Sequence, residues 1–294
     1  MTDQPTLPDQ LTLGPATLTV ANRARSLAFY RDFLGFELLG EAGARLTLGV
    51  AETPVLHLDV VPGLKPRVQA SSGLYHVAIL LPSRVALAQV LKRILDANYP
   101  LGASDHSVSE ALYLSDPDEN GLEIYRDRPR AAWGWFSNGL VKMVTEPLDL
   151  ADILTELPRA GDQSTTFPAG TRIGHVHLQV ADISTAKAFY VDLLGFDIVQ
   201  QFPGALFVSA GRYHHHVGLN TWNSRGAARP PADTANLQSF VVQLPDSAAL
   251  VALRERIRAA GIEIREQHRG FSVDDPWGTM IDVVVEHAPP LQAG

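Results

Sequence analysis

A segment of this 294-residue chain occurs twice, as SLAFYRDFLGFELL at 26–39 and AKAFYVDLLGFDIV at 186–199, separated by an offset of 160. A second pair, LPSRVALAQVLKRILDANYPL at 81–101 and LPDSAALVALRERIRAAGIEI at 244–264, is offset by 163, so two kinds of unit alternate along the chain. Self-similarity of this kind means that each unit is one supersecondary element that buries its apolar face only against its neighbours. Four units result, at roughly 10–62, 72–127, 171–223 and 235–287.

Each unit opens on an alternating strand: ATLTV, HVAIL, HVHLQV and SFVVQL. An amphipathic helix and two or three short strands follow, which makes the unit βαβββ and the fold class α+β. In the third unit, Ala188, Phe189, Leu193 and Leu194 are expected on one helix face, with Gly195 as the C-terminal stop. The stretch 128–170 carries prolines and only a short helical run near DLADILTEL, so it reads as a connector between two halves, 10–127 and 171–287. Its aromatics Trp133, Trp135 and Phe136 are expected to pack on the connector's underside rather than cap a pocket.

With 46% hydrophobic and 19% charged residues, and no apolar run near the roughly 18 residues that a membrane span requires, composition indicates a globular chain without a membrane partner. The N-terminus MTDQPTLPDQLTL lacks the basic and apolar segments of a signal peptide, so a cytoplasmic location is expected. A formal net charge of −8 without a Lys/Arg cluster argues against nucleic acid, whose affinity comes from neutralised phosphates. The chain has no cysteine, which excludes disulfides, thiolate metal sites and cysteine nucleophiles. Any metal must be held by His, Asp or Glu. A homo-oligomer is compatible with the sequence.

The HVHLQV-type opening strand, the AFYxDxLGF helix end and the DPDENGLEIY closing strand resemble the vicinal oxygen chelate superfamily, which includes glyoxalases, bleomycin resistance proteins and extradiol dioxygenases. Within it, GLYHVAILLPSR, SEALYLSDPDENGLEIYRDRPR, TRIGHVHLQVAD and ALFVSAGRYHHHVGLNTW are similar to the catechol 2,3-dioxygenase branch. The resemblance implies that pairs of modules close into two cup-shaped mixed-sheet barrels. It also implies that metal ligands come from the first and last strands of each module. First-strand positions hold Pro15, His76, His175 and Ser239; last-strand positions hold Glu123, Asp282, Gly218 and an apolar segment around His57.

If neighbouring modules paired, neither cup would hold a convincing site. If the second pairs with the third and the first with the fourth, one cup collects His76, Glu123 and His175, and the other only Pro15, Ser239 and Asp282. Two imidazoles and one carboxylate leaving adjacent positions open form the facial triad suited to iron(II), or to manganese(II) with the same ligands. Gly218 supplies no fourth ligand, unlike a glyoxalase-type isomerase. The resemblance therefore implies a dioxygenase acting on a catechol-type aromatic and dioxygen. Competing readings are a hydroquinone-cleaving enzyme and a non-catalytic aromatic-drug-binding resistance protein.

Ring opening needs a proton relay. In Tyr213-His214-His215-His216, strand alternation favours His216 as the acid/base residue, on the same face as Gly218. The resemblance also implies substrate-contacting roles for Tyr113, ten residues before Glu123, and for the loop histidine His106. His177 shares a strand face with His175 as a second ligand or pocket wall. His57, His268 and His287 read as structural or exposed.

Overall fold

The computed structural model describes residues 6–157 and 164–285, which leaves His287 outside the described residues. The first module comprises β1 (Thr12–Val20), α1 (Arg23–Leu27), β2 (Glu37–Ala42), β3 (Arg45–Val50) and β4 (Thr53–Val60). The second comprises β5 (Gly73–Leu81), α2 (Arg84–Asp96), β6 (Gly102–Asp105), β7 (Ser109–Ser115) and β8 (Gly121–Asp127). After a short helix α3 (Leu150–Leu154), the third has β9 (Arg172–Gln179), α4 (Ile183–Lys187), β10 (Asp197–Phe202), β11 (Ala205–Ser209) and β12 (Val217–Asn220). The fourth has β13 (Leu237–Leu244), α5 (Ser247–Ala259), β14 (Arg265–Gln267), β15 (Gly270–Asp274) and β16 (Met280–Val285).

Every module turns from strand to helix on a side-chain cap. Asn22, Ser83, Asp182 and Asp246 each accept a hydrogen bond from the backbone N–H three residues on. This satisfies one of the donors that a helix start leaves unpaired. In the first and third modules, the helix then widens into a π segment, Ala28–Phe33 and Ala188–Leu193. There the Leu34 and Leu194 N–H groups reach the carbonyls of Phe29 and Phe189, five residues back, at 2.9 Å. The extra residue rotates the buried face. Ala188 is exposed and Leu193 half-buried, while Ala186, Phe189, Tyr190, Val191 and Leu194 face the core. A 3.6-residue period therefore misassigned Ala188.

The π segments aim one tyrosine each at a neighbouring module. The Tyr30 hydroxyl donates to Asp116 at 2.8 Å, and the Tyr190 hydroxyl donates to Asp275 at 3.0 Å. Both aspartates open the turn before their module's last strand, and both also accept backbone N–H bonds, from Asp118 and Asn120 or from Trp277 and Thr279. The repeated tyrosine thus ties first to second module and third to fourth.

Sheet pairing runs the other way. One eight-stranded sheet has the order β14-β15-β16-β13-β1-β4-β3-β2 and joins the fourth module to the first; the other, β10-β11-β12-β9-β5-β8-β7-β6, joins the third to the second. This is the pairing that the distribution of His76, Glu123 and His175 requires. In the second sheet, Val77, Ile79 and Leu81 point to the helix-covered apolar core, and Ala78 and Leu80 to the concave face with Ala111 and Tyr125. Such alternation is the period-two signature of a sheet with two different faces.

Burial pushes Asp275 up to about 6 against the hydrogen bonds that lower it, above the ~3.9 of an unfolded aspartate. The native state therefore binds the extra proton, and this group's contribution to stability falls as pH rises from about 4 through 6. Tyr190→Phe leaves a buried carboxylate one donor short. It is expected to cost about 1–3 kcal/mol in urea unfolding near neutral pH and less near pH ~4, where Asp275 is protonated.

Candidate metal centre

The concave face of the second sheet is organised around Ala78. In the β5–β9 antiparallel ladder, Ala78 faces His175 and His76 faces His177; in the parallel β5–β8 ladder, Ala78 pairs with Glu123. A methyl side chain at that position leaves the space above it to its two neighbours, and His76 leans in from two residues earlier on the same face. One ligand atom from each of His76, Glu123 and His175 lies within 4.8 Å of the other two, and all three residues are buried. Among the described residues, this is the single group with such geometry.

Both imidazoles converge on one carboxylate oxygen. His175 Nε2 is 3.1 Å from Glu123 Oε2 and His76 Nε2 is 2.9 Å from it, yet His76 Nε2 is aligned with no hydrogen-bond acceptor. Burial alone would push the Glu123 carboxyl up, but the two facing imidazoles outweigh it and hold it well below the usual range. Burial lowers His175 to about 4, leaving it neutral at physiological pH. An ionised carboxylate facing the neutral His175 imidazole and a second imidazole misaligned for hydrogen bonding is a donor set that fits a divalent transition metal.

The surroundings fix ring positions by close approach. A Cβ on Gly174 would sit 1.8 Å from the Tyr125 hydroxyl, so glycine there lets the Tyr125 ring pack 4.9 Å from that of His175. A Cβ on Gly218 would meet the His177 ring at 2.9 Å. Gly218 thus makes room for His177, whose Nε2 accepts from the Asn220 amide at 3.0 Å. With that lone pair engaged, His177 is a cavity wall.

His76 and Glu123 line a cavity of about 260 Å³ bounded also by His106, Tyr113, His177, Phe207, His214 and His215, with His175 buried beside them. The His106 and Tyr113 positions expected from sequence meet here: His106 Nδ1 donates to the Val144 carbonyl and its Nε2 accepts from the Tyr113 hydroxyl, both at 2.7 Å. Burial and the nearby Glu123 charge raise Tyr113 well above its ordinary value, so it stays protonated.

His216 is not brought to this cavity. β12 begins only at Val217, and the preceding turn folds His214 and His215 over the cluster. His216 is tied at the strand's entry, its N–H donating to the Val208 carbonyl at 2.9 Å. It lies in a separate cavity with Leu80, Gly174 and Tyr213, its Nδ1 accepting from the Ala210 N–H at 3.2 Å, and burial holds it to about 3.

His215 takes that place. Its ring centroid is 4.0 Å from that of His175. Asp127 accepts from His214 Nε2 at 2.8 Å, and His214 Nδ1 lies 2.9 Å from His215 Nδ1. Because the carboxylate can only accept, His214 carries its proton on Nε2 and receives the His215 Nδ1 proton. The lone pair of His215 is thereby left on Nε2, buried and without a partner. Asp127, four residues after Glu123 on the same strand face, was findable by that spacing; the chain reversal before Val217 was not. Sequence reading also missed Met143, Val144 and Thr145, connector residues that close one side of the cavity. Trp133 packs behind His214 instead, and Trp135 lies under Arg212. Phe136 is exposed beneath Lys142.

In the other cup, Asp282 accepts from Ser272 and Gln267, each at 2.8 Å, and among the described residues it gathers no histidine. His57 is half-buried against Thr47, and His268 is exposed.

The sequence matches the Glyoxalase/Bleomycin resistance protein/Dioxygenase superfamily over residues 12–124 and 172–283. It is 44% identical over 269 residues to the Catechol-2,3-dioxygenase of Bacillus subtilis (strain 168), a match that covers 90% of this chain and 93% of that protein. Among solved structures, the fold is shared with a Bacillus subtilis subsp. subtilis str. 168 protein at TM-score 0.64 and 13% identity, covering 96% of this chain and 87% of that one. Glyoxalase I from Zea mays aligns at TM-score 0.56 and 15% identity, covering 94% and 92%.

His76→Ala, Glu123→Ala and His175→Ala should each weaken divalent-metal binding by more than the 10–100-fold that is typical of outer partners. His216→Gln should bind metal as the parent does. Equilibrium dialysis with elemental analysis separates the two groups; stoichiometric metal in Glu123→Ala would remove the carboxylate from the ligand set.

Proposed function

The chain belongs to the glyoxalase/bleomycin resistance protein/dioxygenase superfamily, and we propose that it is an extradiol dioxygenase that opens a catechol ring at iron(II) held by His76, Glu123 and His175. The observation that carries this reading is the convergence of two imidazoles on one ionised carboxylate beside a cavity, with the unpartnered Nε2 of His215 close by. The Bacillus subtilis relative supports it. A passive drug-binding cup gains nothing from a buried charge at its floor, since desolvating a carboxylate costs several kcal/mol.

When bound there, iron(II) supplies redox chemistry with dioxygen and coordination positions for two vicinal hydroxyl oxygens. The protein supplies proton handling and shape. His215 Nε2 is the base that takes a hydroxyl proton from the entering catechol. Its orientation is set from behind, because Asp127 holds His214 and His214 holds His215 Nδ1. Burial keeps His215 well below its ordinary value, so the lone pair is available across the neutral range. Once protonated, the same nitrogen is positioned to return the proton as the ring opens.

On the other side, His106 and Tyr113 form a second polar pair. His106 Nε2 fixes the Tyr113 proton, which leaves the phenol oxygen free to accept a hydrogen bond from substrate. Phe207, Val108 and Met143 exclude water around these groups, which strengthens each polar contact.

Anaerobic reconstitution with iron(II), followed by catechol and air, should give a yellow ring-opened product with matching oxygen uptake; absence of both would contradict the proposal. His215→Gln should keep its iron and still bind catechol without air, while kcat falls by about 10²–10⁴-fold, the range of general acid–base help. His216→Gln should turn over close to the parent rate, and the opposite ranking would return the role to His216.

A further inference from the structure

We propose that the substrate of this site is an uncharged catechol carrying an apolar ring substituent, and that Phe202 and Trp222 determine that specificity. The inference rests on the ring-opening reading and names its substrate class.

The cavity's polar groups gather next to the triad, with His106 and Tyr113 on one side of it and His215 on the other, whereas beyond His177 the wall is aromatic. Trp222 lies 5.6 Å from both His177 and Tyr75, Phe207 is 5.5 Å from His177, and Phe202 is 6.0 Å from Phe207. Phe202 and Trp222 line the cavity yet are 44% and 51% exposed, which places them at its rim. A substrate whose hydroxyls face the triad must direct its far edge toward this wall. Apolar surface left open beside a binding cavity is what an apolar substituent covers.

Charge accounting gives the exclusion. Among the described residues, no lysine or arginine lines the cavity, and its one carboxylate is Glu123. The adjoining surface groove, which shares Tyr75, His76 and Tyr113, adds Asp116 and Glu119 and again no basic residue. Three nearby arginines are engaged elsewhere: Arg128 with Asp105 and Glu110, Arg130 with the Gly211 carbonyl, and Arg212 over the Trp135 ring. With iron(II) taken by the two hydroxyl oxygens, a carboxylate on the far edge of the ring would meet only the aromatic wall and no side-chain cation to pair it, which is the costly way to bury a charge.

The test compares catechol, 3- and 4-ethylcatechol and 3,4-dihydroxybenzoate on the iron-loaded enzyme. It uses kcat/KM from oxygen uptake and, separately, anaerobic equilibrium binding followed by tryptophan fluorescence. The better ethylcatechol should exceed catechol by several-fold, at about fourfold per methylene if the group is fully buried. The carboxylated ring should fall at least about 100-fold below catechol, as expected for an unpaired buried charge. Phe202→Arg and Trp222→Arg should each narrow the gap between carboxylated and ethylated rings by about tenfold or more. A carboxylated ring that binds and reacts as well as catechol, or a gap unmoved in both arginine variants, would overturn the inference. If no ring is opened but the binding order holds, the specificity assignment stands and the ring-opening reading falls.

Discussion

The antiparallel pairing of β5 with β9 is the constraint on which the site depends. His76 belongs to the second repeat and His175 to the third, nearly a hundred residues apart, and only this ladder brings them to one carboxylate. Glu123 arrives by the parallel β5–β8 ladder, which is internal to the second module. A one-residue slip in β5–β9 would turn His175 to the helix-covered face, since side chains alternate with period two. The register is held by that apolar face: Val77 and Ile79 on one strand, Val176 and Leu178 on the other, all fully buried. Hydrophobic burial thus sets the metal-site geometry from the opposite side of the sheet.

Two kinds of tether organise the repeats. Strand pairing joins second to third module and first to fourth, while the Tyr30–Asp116 and Tyr190–Asp275 bonds join first to second and third to fourth. Each module is therefore bound to one partner by its sheet and to another by a buried hydroxyl–carboxylate contact. The repeated tyrosine owes its position to the π segment, an insertion that a straight helix could not accommodate without turning the ring away. A local irregularity kept in both copies does long-range work.

The four-module architecture and its pairing were legible because the repeats are long and because two histidines and one glutamate leave only one arrangement that unites them. The resemblance named Tyr113, ten residues before Glu123, and the loop histidine His106, and the two meet through one hydrogen bond in the cavity. The place of His215 beside His175 was not legible. Alternation correctly assigns a face to residues within β12, but His214, His215 and His216 precede the strand, in a turn where period two no longer applies. The fourth position was also misread in its reason: Gly218 is empty of side chain because the His177 ring fills the space, a contact between two paired strands of the third module that neither segment encodes alone. The connector residues Met143–Thr145 were invisible for the same reason, since their place on the cavity comes from the Asp105–Glu146 bridge.

The account stands on one atom being held where the three ligands converge. Crystals grown anaerobically with iron(II) and measured on both sides of the iron absorption edge locate that atom directly. The expected result is a single anomalous peak within about 2.0–2.2 Å of His76 Nε2, His175 Nε2 and a Glu123 carboxylate oxygen, with His215 Nε2 facing it unligated. A peak at His214, His215 or His216 with Glu123 uncoordinated, or no peak in the cup formed by β5 and β9, would contradict it.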